Sequence, residues 1–153
     1  MDFDSKLDDL FIDLPEPPID KIGALASKSG KLLFLSGQYP YKEGGSIYKG
    51  RVGLELTLDA GMLAAKASLL QALGTLRGVL GGSLNKIKQI VHLRLYIATG
   101  LEFKDHEKLL KSILDTLKNI FGSSADCSSE VIGCTSLPKG ASCELSMVVE
   151  LKE

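Results

Sequence analysis

Leu58, Met62, Ala65, Leu69, Leu73, Leu76 and Leu80 recur at steps of three and four residues, and Gly81-Gly82 then breaks the run. That spacing predicts one long helix with a single buried face, from an N-cap at Thr57 to about Leu80. The period then changes. From Ile87 to Ala98 apolar residues alternate as in a strand, with Ile90, His92, Arg94 and Tyr96 on one face and Val91, Leu93, Leu95 and Ile97 on the other. A second one-faced helix is predicted from about Phe103 to Ile120, striped by Leu109, Leu110, Ile113, Leu117 and Ile120. Two such helices must bury their stripes against an apolar layer, and the aliphatic face of a sheet supplies it, which predicts an α+β fold.

The remaining segments are shorter. Lys6 to Asp13 is amphipathic and stops at Leu14-Pro15-Glu16-Pro17-Pro18, where three prolines impose an extended path. Ala24–Ser27 and Lys31–Ser36 read as a hairpin around Lys28-Ser29-Gly30-Lys31. Gly37, at the end of the apolar run Leu32–Leu35, suggests a place where a side chain would obstruct something. Tyr39–Lys49 reads as loop and Arg51–Val52 as a short edge strand. Ser129 to Glu150 reads as two strands joined by a Pro138-Lys139-Gly140 turn, the second carrying the carboxylate of Glu144 among mostly uncharged residues. The predicted order is β-β-(β)-α-β-α-β-β. The sheet face turned from the helices carries polar and aromatic side chains, yet is too apolar for open water, which favours packing against other subunits.

The 153 residues suffice for one ordinary domain (1–153), with residues 1–20 as a proline-containing arm. With 18 basic and 19 acidic side chains the net charge of −1 gives no field for nucleic acid or anionic lipid. The longest apolar stretch contains Lys66, Gln71 and Arg77, which argues against a membrane span. Met1 to Lys6 is acidic and lacks the pattern of a signal peptide. Cys127, Cys134 and Cys143 read as reduced thiols of a cytoplasmic protein. Across a C-terminal hairpin Cys134 and Cys143 would face one another, leaving a redox bridge as the alternative. Covalent chemistry at Cys127 would need a base that the sequence does not place near it. His106, among Glu102, Asp105 and Glu107, reads as a solvated helix start, and two histidines without clustered ligands make no dedicated metal site.

The element order, with Leu14-Pro15-Glu16-Pro17-Pro18, Leu35-Ser36-Gly37-Gln38-x-Pro40, Phe103, Phe121-Gly122 and Leu137-Pro138-x-Gly140-Ala141-x-x-Glu144, resembles the YjgF/RidA (L-PSP endoribonuclease-like) family. The resemblance runs from about Lys6 to the C-terminus and is nearest to the bacterial branch with a proline-rich arm. It implies a chorismate-mutase-like subunit in a homotrimer, with sheets inside, helices outside and clefts between subunits. It also implies a cofactor-free hydrolase or deaminase of small enamines and imines. The turn Ser36-Gly37-Gln38 and the glutamate Glu144 would then complete the pocket and position water. The family's arginine, which grips a substrate carboxylate, stands nine residues before the proline, and here that position is Ser129. The family's aromatic before the first strand falls near Gly23 to Ala26, and this branch's Asn-Gly pair falls on Lys111-Ser112.

Two readings of function follow. In one, Glu144 orients water in a divergent imine deaminase. Arg94, on the presumed inner face with His92 and Tyr96, then either replaces the missing guanidinium or makes polar contacts along the trimer interior. Ser129 either keeps a weak hydrogen bond to ligand or is an ordinary strand-edge serine, and Glu144 has its own structural alternative, holding backbone amides. In the other reading the chain is a small-metabolite binding or regulatory trimer that has lost the chemistry. RNA cleavage has only the family's older name behind it, and the charge balance argues against it.

Overall fold

A computed structural model describes residues 2–19 and 22–153; Met1 and Asp20 of the expected arm lie outside the described residues. Helix α1 (Phe3–Asp9) is capped by the Asp2 side chain, which accepts from the Ser5 N–H. It lies earlier than the amphipathic segment suggested, because Phe3 and Leu7 are the buried pair and Phe3 meets the Phe121 ring at 4.6 Å. Then follow β1 (Ala26–Ser29), β2 (Leu32–Gln38), α2 (Leu58–Val79), β3 (Ile87–Ala98), α3 (His106–Phe121), β4 (Ser128–Cys134) and β5 (Cys143–Leu151).

The long helix starts where the capping argument put it, with the Thr57 hydroxyl accepting from the Ala60 N–H at 3.1 Å. Three of its glycines let other chain segments approach. A Cβ at Gly61 would meet Val52, one at Gly74 the Pro15 carbonyl and one at Gly78 the Pro17 ring. Glycine inside a helix costs about 1 kcal/mol relative to alanine; here it lets the proline segment lie against α2. Arg77 and Gln71 hold that segment by donating to the carbonyls of Leu14 (3.2 Å) and Glu16 (2.8 Å). Val52 forms only isolated bridges to Leu56 and Thr99, so the predicted edge strand shrinks to a contact.

The five strands form one mixed sheet in the order β1-β2-β5-β3-β4, antiparallel except for the parallel pair β3–β4. This corrects the expected C-terminal hairpin: β4 and β5 do not pair, because β3 lies between them. The physical reason is the connection β3-α3-β4, a crossover through a helix, which joins parallel neighbours. The correction removes the face-to-face cysteines as well. Cys134 is registered with Ala98 and Cys143 with Ile97, on adjacent positions of β3 and therefore on opposite faces. Two strand spacings, about 9–10 Å, already exceed disulfide reach, and all three cysteines are free thiols.

Leu33, Leu35, Leu93, Leu95, Leu145, Met147 and Val149 form the buried sheet face under α2 and α3. Ile90 also belongs to this side, contrary to the plain alternation. The register of β3 against β5 shifts between Ile90 and His92, and the extra residue turns Ile90 into the core at 1% exposure. His92, Arg94 and Tyr96 stay together on the open face.

Candidate functional site

On that open face β5 presents Glu144, registered opposite Tyr96 of β3. On the other side of β5, the register with β2 shifts between Leu35 and Gln38, which sets Ser36 and Gly37 in an irregular turn of the strand. The Glu144 carboxylate fills the space where a side chain at Gly37 would begin. A Cβ there would collide with Oε2 and lie 2.7 Å from Cδ and 3.0 Å from Cγ. Gly37 therefore serves close approach of the acid to the β2 backbone, the obstruction anticipated from sequence.

The flanking residues hold this turn. Ser36 donates from its backbone N–H to the Leu25 carbonyl (2.9 Å) and from its hydroxyl to the Ala24 carbonyl (2.6 Å). Gln38 turns inward, 1% exposed, registered with the core residue Leu145. Its amide donates to the Ser36 carbonyl (3.0 Å) and its carbonyl oxygen accepts from Thr75 (2.7 Å). Buried polar atoms are kept because they are paired. Gln38 thus ties the turn to α2, and Gln71 extends the tie to the proline segment. Thr75 and Gln71 escaped the sequence reading because polar residues within a buried helical stripe give no local sign of their partners.

Ser129 and Arg94 lie elsewhere. Ser129 is registered with Leu93, on the helix-facing side of the sheet, whereas Glu144 shares the open side with Tyr96. Arg94 is on the open side, where its guanidinium Nε donates to Glu130 at 2.6 Å and Nη1 to the Tyr96 hydroxyl at 3.3 Å. The contact with Glu130 is the main reason its pKa is raised, and the same bond, with a second from His92, lowers that of Glu130. His92 completes the cluster, 3.3 Å from Glu130 and 2.8 Å from the Ser128 hydroxyl. Glu130 was absent from the sequence argument, although the parallel β3–β4 register sets it directly beside Arg94.

Gly37, Gln38, Tyr39, Tyr41, Pro138 and Lys139 border a cavity of about 270 Å³, and Gly37 touches both this space and the Glu144 carboxylate. All three thiols are shifted away from the thiolate form. Burial pushes Cys143 up to about 12, beyond what its bond with Ser68 offsets, and burial followed by the charge of Glu144 raises Cys134. Burial likewise raises Cys127, with Asp126 adding to it. α3 does start at His106, with Glu102 and Glu107 exposed beside it, but the His106 ring itself is half-buried: it covers Gly133 and meets Phe103 edge-on at 5.0 Å. Among the described residues no His, Cys, Asp or Glu group is arranged to hold a metal ion, and no helix is long and apolar enough to cross a membrane.

A mixed sheet covered by helices on one side is the architecture of chorismate-mutase-like α+β proteins. The chain belongs to the YjgF/RidA family: residues 7–151 match the family described as "YjgF/chorismate_mutase-like, putative endoribonuclease". It is similar to a crystal structure from Shewanella oneidensis described as "a putative endoribonuclease", at 28% identity and TM-score 0.91, covering 99% of this chain and all of that one. The protein Atu1372 of unknown function from Agrobacterium tumefaciens is similar at 25% identity and TM-score 0.86, over 98% and 94% of the two chains. Protein TCP17 of Trypanosoma cruzi is 30% identical over 124 residues, 80% of this chain and 77% of its own length.

Proposed function

We propose that the chain is one domain, residues 1–20 its arm, which assembles as a cytoplasmic homotrimer and hydrolyses small imines or enamines in clefts between subunits, without a cofactor. The observation that carries this reading is the seating of Glu144 against Gly37 on the open sheet face. Phe34 and Ile132, 47% and 38% exposed on that face, give assembly an apolar surface to bury.

In the proposed reaction Glu144 takes a proton from water as the oxygen attacks the imine carbon, and the C=N electron pair moves to nitrogen. Glu144 returns that proton to the nitrogen, giving the carbinolamine. The carbinolamine hydroxyl proton then passes through Glu144 to the nitrogen, the C–N bond breaks, and ammonia leaves as the carbonyl forms. An enamine first shifts a proton from nitrogen to carbon to become the imine. A carboxylate held in one orientation is suited to this general-base role. Close packing against Gly37 limits the orientations open to the Glu144 carboxylate.

A second reading, a metabolite-binding trimer without turnover, is favoured by the engagement of Arg94 with Glu130 and by the helix-facing position of Ser129. The two readings separate in one assay. Imines are generated in situ from several amino acids, and ammonia release is followed with and without the protein. Faster release is expected; a rate equal to the spontaneous one for every imine, with a ligand-dependent rise in melting temperature, would replace the hydrolase by the binder.

A further inference from the structure

The buried side of α2 carries polar groups at positions where leucine would serve packing alone. Gln71 and Thr75 are 3% and 0% exposed and stand one helical turn apart on the same side of the helix. A polar group taken from water costs stability unless it is hydrogen-bonded, and these two are bonded in series. The Gln71 amide donates to the Glu16 carbonyl of the proline segment at 2.8 Å and to the Thr75 hydroxyl at 3.5 Å. A hydroxyl both accepts and donates, and that of Thr75 passes the series on to the Gln38 carbonyl oxygen at 2.7 Å. The Gln38 amide then donates to the Ser36 carbonyl at 3.0 Å.

The series ends on one peptide group. The Ser36 carbonyl belongs to the plane that joins Ser36 to Gly37, so holding its oxygen restrains the whole plane. Gly37 needs such a restraint more than another residue would. The missing Cβ that admits the Glu144 carboxylate also widens the range of backbone angles open to the position. Ser36 and Gly37 lie, moreover, in the interval where the β2–β5 register shifts.

We propose that Thr75 is a positioning residue for Glu144. Through Gln38 it fixes the Ser36–Gly37 peptide against which the acid packs, and through Gln71 it ties that peptide to the proline segment. The catalytic consequence rests on the hydrolase reading given above; the coupling of the turn to α2 and to the proline segment does not. A threonine that only satisfied a buried glutamine would matter for stability alone. One that positions the base also sets its geometry, and catalysis is sensitive to small displacements of the reacting groups.

The full-length protein is compared with Thr75→Val, which keeps the shape and removes the hydroxyl, and with Thr75→Ser, which restores it. In Thr75→Val the amides of residues 36–38 should exchange hydrogen about tenfold faster, as an orphaned buried acceptor loosens the turn, while those of α3 keep their protection. The kcat for ammonia release should fall about tenfold with KM within about twofold. Thr75→Ser should recover most of both. Gln71→Met alters the end of the series at the proline segment, yet should speed exchange at residues 36–38 by about twofold or more. Faster exchange spread evenly over helices and sheet, with kcat unchanged, would make Thr75 merely structural and overturn the assignment. So would unchanged exchange at residues 36–38 in Gln71→Met, which carries the test should Thr75→Val fail to fold. If wild type releases no ammonia above the spontaneous rate, the hydrolase reading falls by itself. Selective, serine-rescued exchange at residues 36–38 would then still establish Thr75 as the residue that holds the turn, and its absence would overturn that role.

Discussion

Two of the glutamates on the open face of this sheet, Glu130 and Glu144, are treated in opposite ways. Glu130, on the edge strand, lies among side chains: Arg94 and His92 donate to it, and Tyr96 touches the same guanidinium. Glu144, one strand in from β3, is set against main chain at a glycine-bearing irregularity of β2. An acid surrounded by long flexible partners keeps its charge in many geometries, whereas one seated on a backbone turn is held in one place. Chemistry that must position water favours the second arrangement. Residue type therefore does not separate a catalytic candidate from a structural ion pair here; the nature of the partner does.

The largest effect should come from removing the acid that the turn holds. Glu144→Gln keeps the shape and loses the base, so imine hydrolysis should fall about 10²- to 10⁴-fold, the range of general acid–base catalysis, with fold and oligomeric state unchanged. Glu130→Gln is the matched control and should leave turnover within about twofold, since the altered group acts on Arg94 and lacks the backbone seat. Equal losses in the two variants would erase the distinction.

Gly37→Ala tests the seat itself. Its Cβ must displace the Glu144 carboxylate, and because that is the far end of a flexible side chain the cost should stay at or below the low end of the about 1–3 kcal/mol of core overpacking. The denaturation midpoint should drop and turnover fall with it. In a Glu144→Ala background the same substitution should cost far less, because the colliding atoms are gone. An undiminished cost in the double variant would show that the turn needs glycine for a reason unrelated to the acid.

These contrasts were only partly open to sequence reasoning. The β3 limits, the Thr57 cap and the need for space at Gly37 follow from periods and residue types that act within a few positions. The place of β5 in the sheet does not. A short turn between two strand-like segments looks the same whether they pair or straddle a third strand, and only the helical crossover from β3 to β4 hinted at the true order. Gln38 and Arg94 were legible only in part for one reason: a side chain's partner is chosen by strands and helices distant in sequence. Gln38 turned to Thr75 of α2 and Arg94 to Glu130 of β4. Lys139, at φ 64°, passed as an ordinary turn residue because a positive φ outside glycine leaves no compositional trace.

The smallest expected effect concerns the pH response of the edge cluster. Hydrogen bonds from Arg94 and His92 hold the Glu130 carboxyl below its ordinary value of 4.5. In the unfolded chain the group binds its proton more readily than in the native one. Its contribution is therefore complete above the unfolded-state value and is lost as pH falls through the depressed native value. Because the pair is open to solvent, the contribution should also shrink as salt is added. Urea midpoints measured from neutral to acid pH should show wild type slightly above Glu130→Gln at neutrality, with the curves converging in acid. Arg94→Ala should follow the Glu130→Gln curve rather than that of wild type, and should assemble and bind ligand as wild type does. A loss of ligand binding in Arg94→Ala alone would assign its guanidinium to the cleft and dissolve the division between the two glutamates.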